Sequence, residues 1–111
     1  MLDILPEVKE HLEYILPVYS EPTEKNTSIP CITYFLYNDT QRETGDTLVY
    51  SDVTVCIKVW DHVIKDLMEN TLSVDEVMRI NGYRRVSINQ MSDNGLYCNV
   101  FLFRGLGKEF I

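Results

Sequence analysis

Apolar and polar residues alternate along this chain with two periods, and the changes of period mark its elements. Leu5, Val8, Leu12 and Ile15 recur at i, i+3, i+7 and i+10, with Glu7, Glu10 and Glu13 between them. That spacing predicts an amphipathic helix over residues 3–15. Asp3 can cap it, Pro6 suits its first turn, and Pro17 stops it. A strand-like Val18-Tyr19 follows. Residues 20–30 are polar and contain Pro22 and Pro30, which predicts a surface loop.

Period two then takes over. Over residues 31–39, Ile32, Tyr34 and Leu36 alternate with Cys31, Thr33, Phe35 and Tyr37, so this predicted strand is partly apolar on both faces. Asn38 to Thr47 contains no hydrophobic residue and includes Gly45, and reads as a long hairpin tip. From Leu48 to Trp60 the alternation is clean. Val49, Val53, Val55, Ile57 and Val59 fall on one side, and Tyr50, Asp52, Thr54, Cys56, Lys58 and Trp60 on the other. A second helix is predicted over residues 62–81, with Asp61 as its N-cap. Ile64, Leu67, Met68, Leu72, Val77 and Met78 lie near one stripe, and Asn81-Gly82 marks its end. Asn70-Thr71-Leu72-Ser73 is a point where it could bend. Residues 83–91 form another strand with Val86 and Ile88 inward. Asp93-Asn94-Gly95 signals a hairpin, and Leu96–Arg104 is the last strand. The order α-β-β-α-β-β, with room for one extra short strand, predicts an α+β fold. Its sheet is mostly antiparallel, with two main helices packed on one face, in a single domain spanning 1–111.

Charge narrows the function. The 111 residues carry 17 Asp and Glu against 10 Lys and Arg, a net charge of −7. Gripping a nucleic-acid backbone or an anionic lipid surface requires clustered basic residues, so both are disfavoured. No apolar run reaches the roughly 18 residues of a membrane span, and the acidic start lacks the pattern of a signal peptide. Cys31, Cys56 and Cys98 are odd in number and widely spaced, which suits reduced, buried thiols.

Chemistry is sparse. His62 with Asp66, or Asp61 with Lys65, can share a helix face, but no HExxH and no cysteine cluster accompanies them. The plainer reading of His62 and His11 is as solvated helix residues, and a small hydrolase or metal enzyme built on His62 is the weakest of the readings. Mid-strand Cys56 and Cys98 read as core residues rather than nucleophiles. Gly105-Leu106-Gly107 is too short to cradle phosphate and reads as a loosened tail. Arg84-Arg85 is the one adjacent basic pair, and alternation sends one arginine to each face. No catalytic, metal or cofactor site is expected.

Apolar residues on both strand parities, with only two helices to cover them, point instead to association. The segments Ile29-Pro-Cys-Ile-Thr-Tyr34, Gly45-Asp-Thr-Leu-Val-Tyr-Ser51, Val55 to Trp60, Val74-Asp-Glu-Val-Met-Arg79 with Gly82-Tyr-Arg-Arg85, and Tyr97 to Gly105 stand in a telling order. In that order and spacing they resemble the tail-terminator (tail-completion, head–tail joining) proteins of long-tailed bacteriophages and prophages. The resemblance covers roughly residues 29–105. It implies a non-enzymatic structural protein forming a homo-oligomeric ring, commonly a hexamer. Such a ring caps the tail tube, ends its polymerisation and provides the head-attachment surface. The implied partners are the tail tube protein, the head connector protein and further copies of the chain, with DNA only passing through the bore and no membrane. The implied location is the head-proximal end of the virion tail, and the host cytoplasm during assembly. Acidic residues lining the bore would keep transiting DNA from sticking. Contact surfaces are expected on loops, here the 20–30 arm and the hairpin residues Asn38, Asp39, Gln41, Arg42, Glu43 and Asp46. The competing expectation is a small acidic binding module, an inhibitor or adaptor, acting on a basic partner.

Overall fold

The computed structural model describes residues 5–21, 28–43 and 49–110. They form helix α1 (Leu5–Leu12), strand β1 (Val18–Ser20), β2 (Cys31–Glu43), β3 (Val49–Asp61), helix α2 (Ile64–Ile80), β4 (Tyr83–Asp93) and β5 (Leu96–Phe110). The strands make one sheet in the order β1-β2-β3-β5-β4, antiparallel throughout except for the parallel β1–β2 pair. Both helices lie on one face of it. The α+β class and the element order follow the expectation, and β1 is the extra short strand.

The core sits between that face and the helices. Ile32 and Tyr34 of β2, Val55, Ile57 and Val59 of β3, and Phe101 and Phe103 of β5 share it with Val8 and Leu12 of α1. The Phe101 and Phe103 rings stack with centroids 4.9 Å apart. The two-residue period of β3 therefore faces inward as expected, and the Phe101–Phe103 side of β5 lies beside it. The first helix is shorter than predicted and gives way to a turn after Leu12, although Ile15 still packs against the core. Asp3 lies outside the described residues.

Helix α2 begins two residues later than predicted, with Val63 at the N-cap position. Asp61 still serves the helix start: its Oδ1 accepts the Val63 N–H at 2.9 Å. The helix runs unbroken through Asn70–Ser73, because Thr71 turns inward and its Oγ1 accepts a 2.7 Å hydrogen bond from the buried Asn99 amide. Its far end closes as expected, with Asn81 bonded to Val77 and Gly82 at φ 88°. The β4–β5 turn has Asn94 at φ 49° and Gly95 at φ 79°, both in the left-handed region that a two-residue hairpin turn of this kind needs.

Three expectations need correction. The polar stretch from Asn38 is not all hairpin tip, since Asn38–Glu43 continue β2 and pair with Val49–Thr54 of β3. A strand ladder is made by backbone groups, so a segment with no apolar side chains can still extend it. Gly105-Leu106-Gly107 does not loosen the tail. It lies within β5, which pairs with β3 as far as Phe110 opposite Val49. Beyond the start of β4, the sheet thus continues as a three-stranded arm of β2, β3 and β5, in a molecule measuring 52 × 26 × 22 Å. Finally, Val86 and Ile88 are not buried. A bulge between Arg85 and Ser87 skips Val86 in the ladder, and α2 does not reach far enough across β4 to cover Ile88, which is 42% exposed.

Candidate interaction surfaces

Helix α2 carries two apolar stripes, where one was predicted. Leu67, Thr71, Val74 and Met78 (i, i+4, i+7, i+11) are buried against the sheet. Ile64, Met68 and Leu72 (i, i+4, i+8) stand about half to two-thirds exposed on the flank. Merging both sets into one core stripe hid the second. The outer stripe borders a groove of about 310 Å³ between α2 and β4, lined by Met68, Leu72, Ile88 and Phe101 with Thr71 and Asn99 at its floor. Asp75 and Arg85 close one end, where Asp75 lies 3.5 Å from both Arg79 and Arg85. Asp75 Oδ1 is buried there without a hydrogen-bond donor. Arg85 thus reaches the helix face and Arg84 the other, as the alternation predicted.

The face away from the helices is organised differently. Cross-strand neighbours run Cys31–Trp60–Cys98–Met91, Thr33–Lys58–Val100–Asn89 and Phe35–Cys56–Leu102–Ser87. Small side chains alternate with large ones in this lattice, so the three cysteines and Thr33 are buried although neither helix lies over them. A polar network crosses the middle row. Trp60 Nε1 donates to Thr33 Oγ1 at 3.0 Å, and Thr33 Oγ1 donates to Glu21 Oε1 at 2.9 Å. Lys58 Nζ pairs with the same carboxylate at 3.2 Å and lies 5.5 Å above the Phe35 ring. Nothing in the sequence spacing announced Glu21, because it reaches its partners from the loop after β1. Burial pushes the Cys31 thiol up to about 11 and that of Cys98 to about 12. It raises Cys56 too, against the opposing pull of Lys58. Thiols held protonated in this way are poor nucleophiles and poor metal ligands.

Among the described residues, both long sides of the sheet offer unpaired backbone: β4 is an edge along its whole length, and β1 covers β2 only over Ile32–Tyr34. Of the residues expected at contacts, Asn38, Asp39, Gln41, Arg42 and Glu43 lie on the β2 strand of the arm, and Asp46 falls outside the described residues. Arg84 stands opposite Arg104 across the β4–β5 ladder, both exposed. Pairing of like charges across strands costs stability, and sequence spacing alone could not reveal it.

The candidates for catalysis do not converge. His62 and Asp66 are exposed at the start of α2, while Asp61 is buried in its capping role. Among the described residues no three His, Cys, Asp or Glu side chains are grouped to hold a metal, and no helix is long and apolar enough to cross a membrane. Comparison of the sequence with protein-family models and with curated proteins finds no match to either.

Proposed function

We propose that the protein is a structural assembly subunit, a tail terminator of a long-tailed phage that acts as a ring of identical copies. The observation that carries this reading is the outer apolar stripe Ile64, Met68 and Leu72 beside the α2–β4 groove, next to an unpaired strand edge. Contiguous exposed apolar surface in a small domain marks association, and an open edge is a template for another strand. The sheet with helices on one side suits the small α+β subunit that the sequence resemblance implies. In this reading the ring caps the tube, stops its growth and offers the head connector its docking surface.

The test is reconstitution with the tail tube protein of the same phage. Tubes grown with the protein present should be capped and shorter, and electron microscopy should show rings at their ends. A variant carrying both Met68→Glu and Leu72→Glu should stay folded and fail to cap. Tubes indifferent to the wild-type protein, with no ring formed, would overturn the proposal. The net charge of −7 favours a second reading, a small acidic module that binds a basic partner. That reading predicts a one-to-one complex whose association rate falls steeply with salt.

A further inference from the structure

The groove between α2 and β4 is electrically neutral, on a chain of net charge −7. Its two charged lining residues, Asp75 and Arg85, pair with each other at 3.5 Å. Two copies can therefore bring these grooves together without setting their negative charge face to face. The neighbouring edge is equally permissive. Edges that must stay unpaired usually carry charge or proline. From Val86 to Ser92 (Val-Ser-Ile-Asn-Gln-Met-Ser) β4 has neither, and past the bulge the ladder of Ser87–Asp93 is regular. A two-fold axis perpendicular to a sheet sets its edge strand antiparallel to the same strand of a second copy.

The faces of the strand and its order of charge select the register. Residues paired directly across an antiparallel ladder share a face, so the axis passes beside one residue and not between two. β4 opens on Arg84-Arg85 after Tyr83 and closes on Asp93. With the axis at Asn89, Ser87 stands opposite Met91 of the second copy, and Ile88 opposite Gln90. Once the bulge is passed, Arg84 falls level with Asp93, so the basic start of each strand meets the acidic end of the other. With the axis at Gln90, Arg84 and Arg85 would overhang the turn at Asn94 and Gly95.

The helices fit the same arrangement. α2 touches β3, β5 and β4, so it is centred over β5. In the joined sheet the two β5 strands stand three strand spacings apart, about 14 Å. A helix with its side chains is about 10–12 Å across. The flanks bearing Ile64, Met68 and Leu72 then face each other over Ile88 and Gln90 of both copies. Nothing as thick as a third helix fits between them.

We propose that two copies pair through β4 about a two-fold axis at Asn89, joining their sheets and closing the α2–β4 groove of each against the outer α2 stripe of the other. This goes beyond the ring reading. A copy paired in this way hides the stripe and edge that a ring would use, so the dimer is a closed store of subunits.

Sedimentation equilibrium should weigh the wild type as a dimer that dissociates on dilution. Asn89→Cys should form a covalent dimer on mild oxidation, because residues paired across such an axis have Cα atoms about 4.5–5.5 Å apart, within disulfide reach. Under the same conditions the wild type, with its cysteines buried, and Glu10→Cys, exposed on α1, should stay uncrosslinked. Ile88→Glu should keep its far-UV circular dichroism and weaken the dimer about tenfold or more, because the seam would bury its charge. A wild type of monomer mass at every concentration would overturn the proposal, and so would a dimer that Asn89→Cys does not lock. Protection of the β4 amides from hydrogen exchange only when tube protein is added would assign the edge to a foreign strand and overturn it as well. Tube capping is scored separately. A monomer that caps tubes removes the dimer and leaves the ring, and a lockable dimer that never caps, even when reduced and diluted, removes the ring and leaves the dimer.

Discussion

The two faces of the sheet bury residues by different means. On the helix face, Ile57, Phe101 and Phe103 are covered by a second layer, and the residue types are large aliphatics and aromatics. On the opposite face, Cys31, Cys56 and Cys98 are equally hidden, but by taller neighbours in the same layer such as Trp60, Phe35 and Lys58. The first mode removes whole side chains from water and supplies most of the stability, at about 1.5–3 kcal/mol for each fully buried large side chain. The second hides small groups beneath half-exposed ones. It leaves the outer surface of the tall residues available to a partner.

The sharpest way to break this contrast is Phe101→Ala, which should cost about 3–5 kcal/mol because the rigid helix layer cannot collapse into the space. Urea denaturation reads it, and a loss below about 1 kcal/mol would mean that the helix face is loosely packed. Next comes Thr71→Val, which strands the buried Asn99 amide and should cost about 1–3 kcal/mol. On the opposite face, Trp60→Phe removes the indole N–H donated to Thr33 together with part of a half-exposed ring, with an expected loss of about 1–2 kcal/mol. A loss as large as that of Phe101→Ala would erase the distinction between the faces.

Alkaline pH gives a subtler discrimination. The cysteine thiols keep their protons in the folded chain above the ordinary value of 9.0, so the unfolded chain ionises first. Their contribution is complete below about pH 9 and is lost as pH rises through the folded values near 11 to 12. The fall in urea midpoint between about pH 8 and about pH 11 should shrink when all three cysteines become alanine. The same burial predicts slow thiol labelling in the native state and fast labelling after denaturation.

Period and punctuation revealed the scaffold. The alternation in Val55, Ile57 and Val59, the Asn94-Gly95 turn and the Asn81-Gly82 helix end all report local backbone and burial preferences, and local preferences are written residue by residue. The surfaces were harder to read. Whether Met68 or Thr71 faces the sheet depends on the rotation of α2 about its axis, and residues three apart on a helix sit only about 60° apart around it. Asn38–Glu43 looked like loop because side-chain polarity says nothing about a backbone ladder. The opposition of Arg84 and Arg104 depends on register, and the bulge at Val86 shifts that register.

The three-stranded arm makes the protein more than twice as long as it is thick, at 52 × 26 × 22 Å. Such a particle drags more water than a sphere of equal mass. It will leave a sizing column early and diffuse slowly, imitating a larger species. A lone subunit therefore elutes somewhat ahead of a sphere of its mass, and counting subunits belongs to methods that weigh the particle.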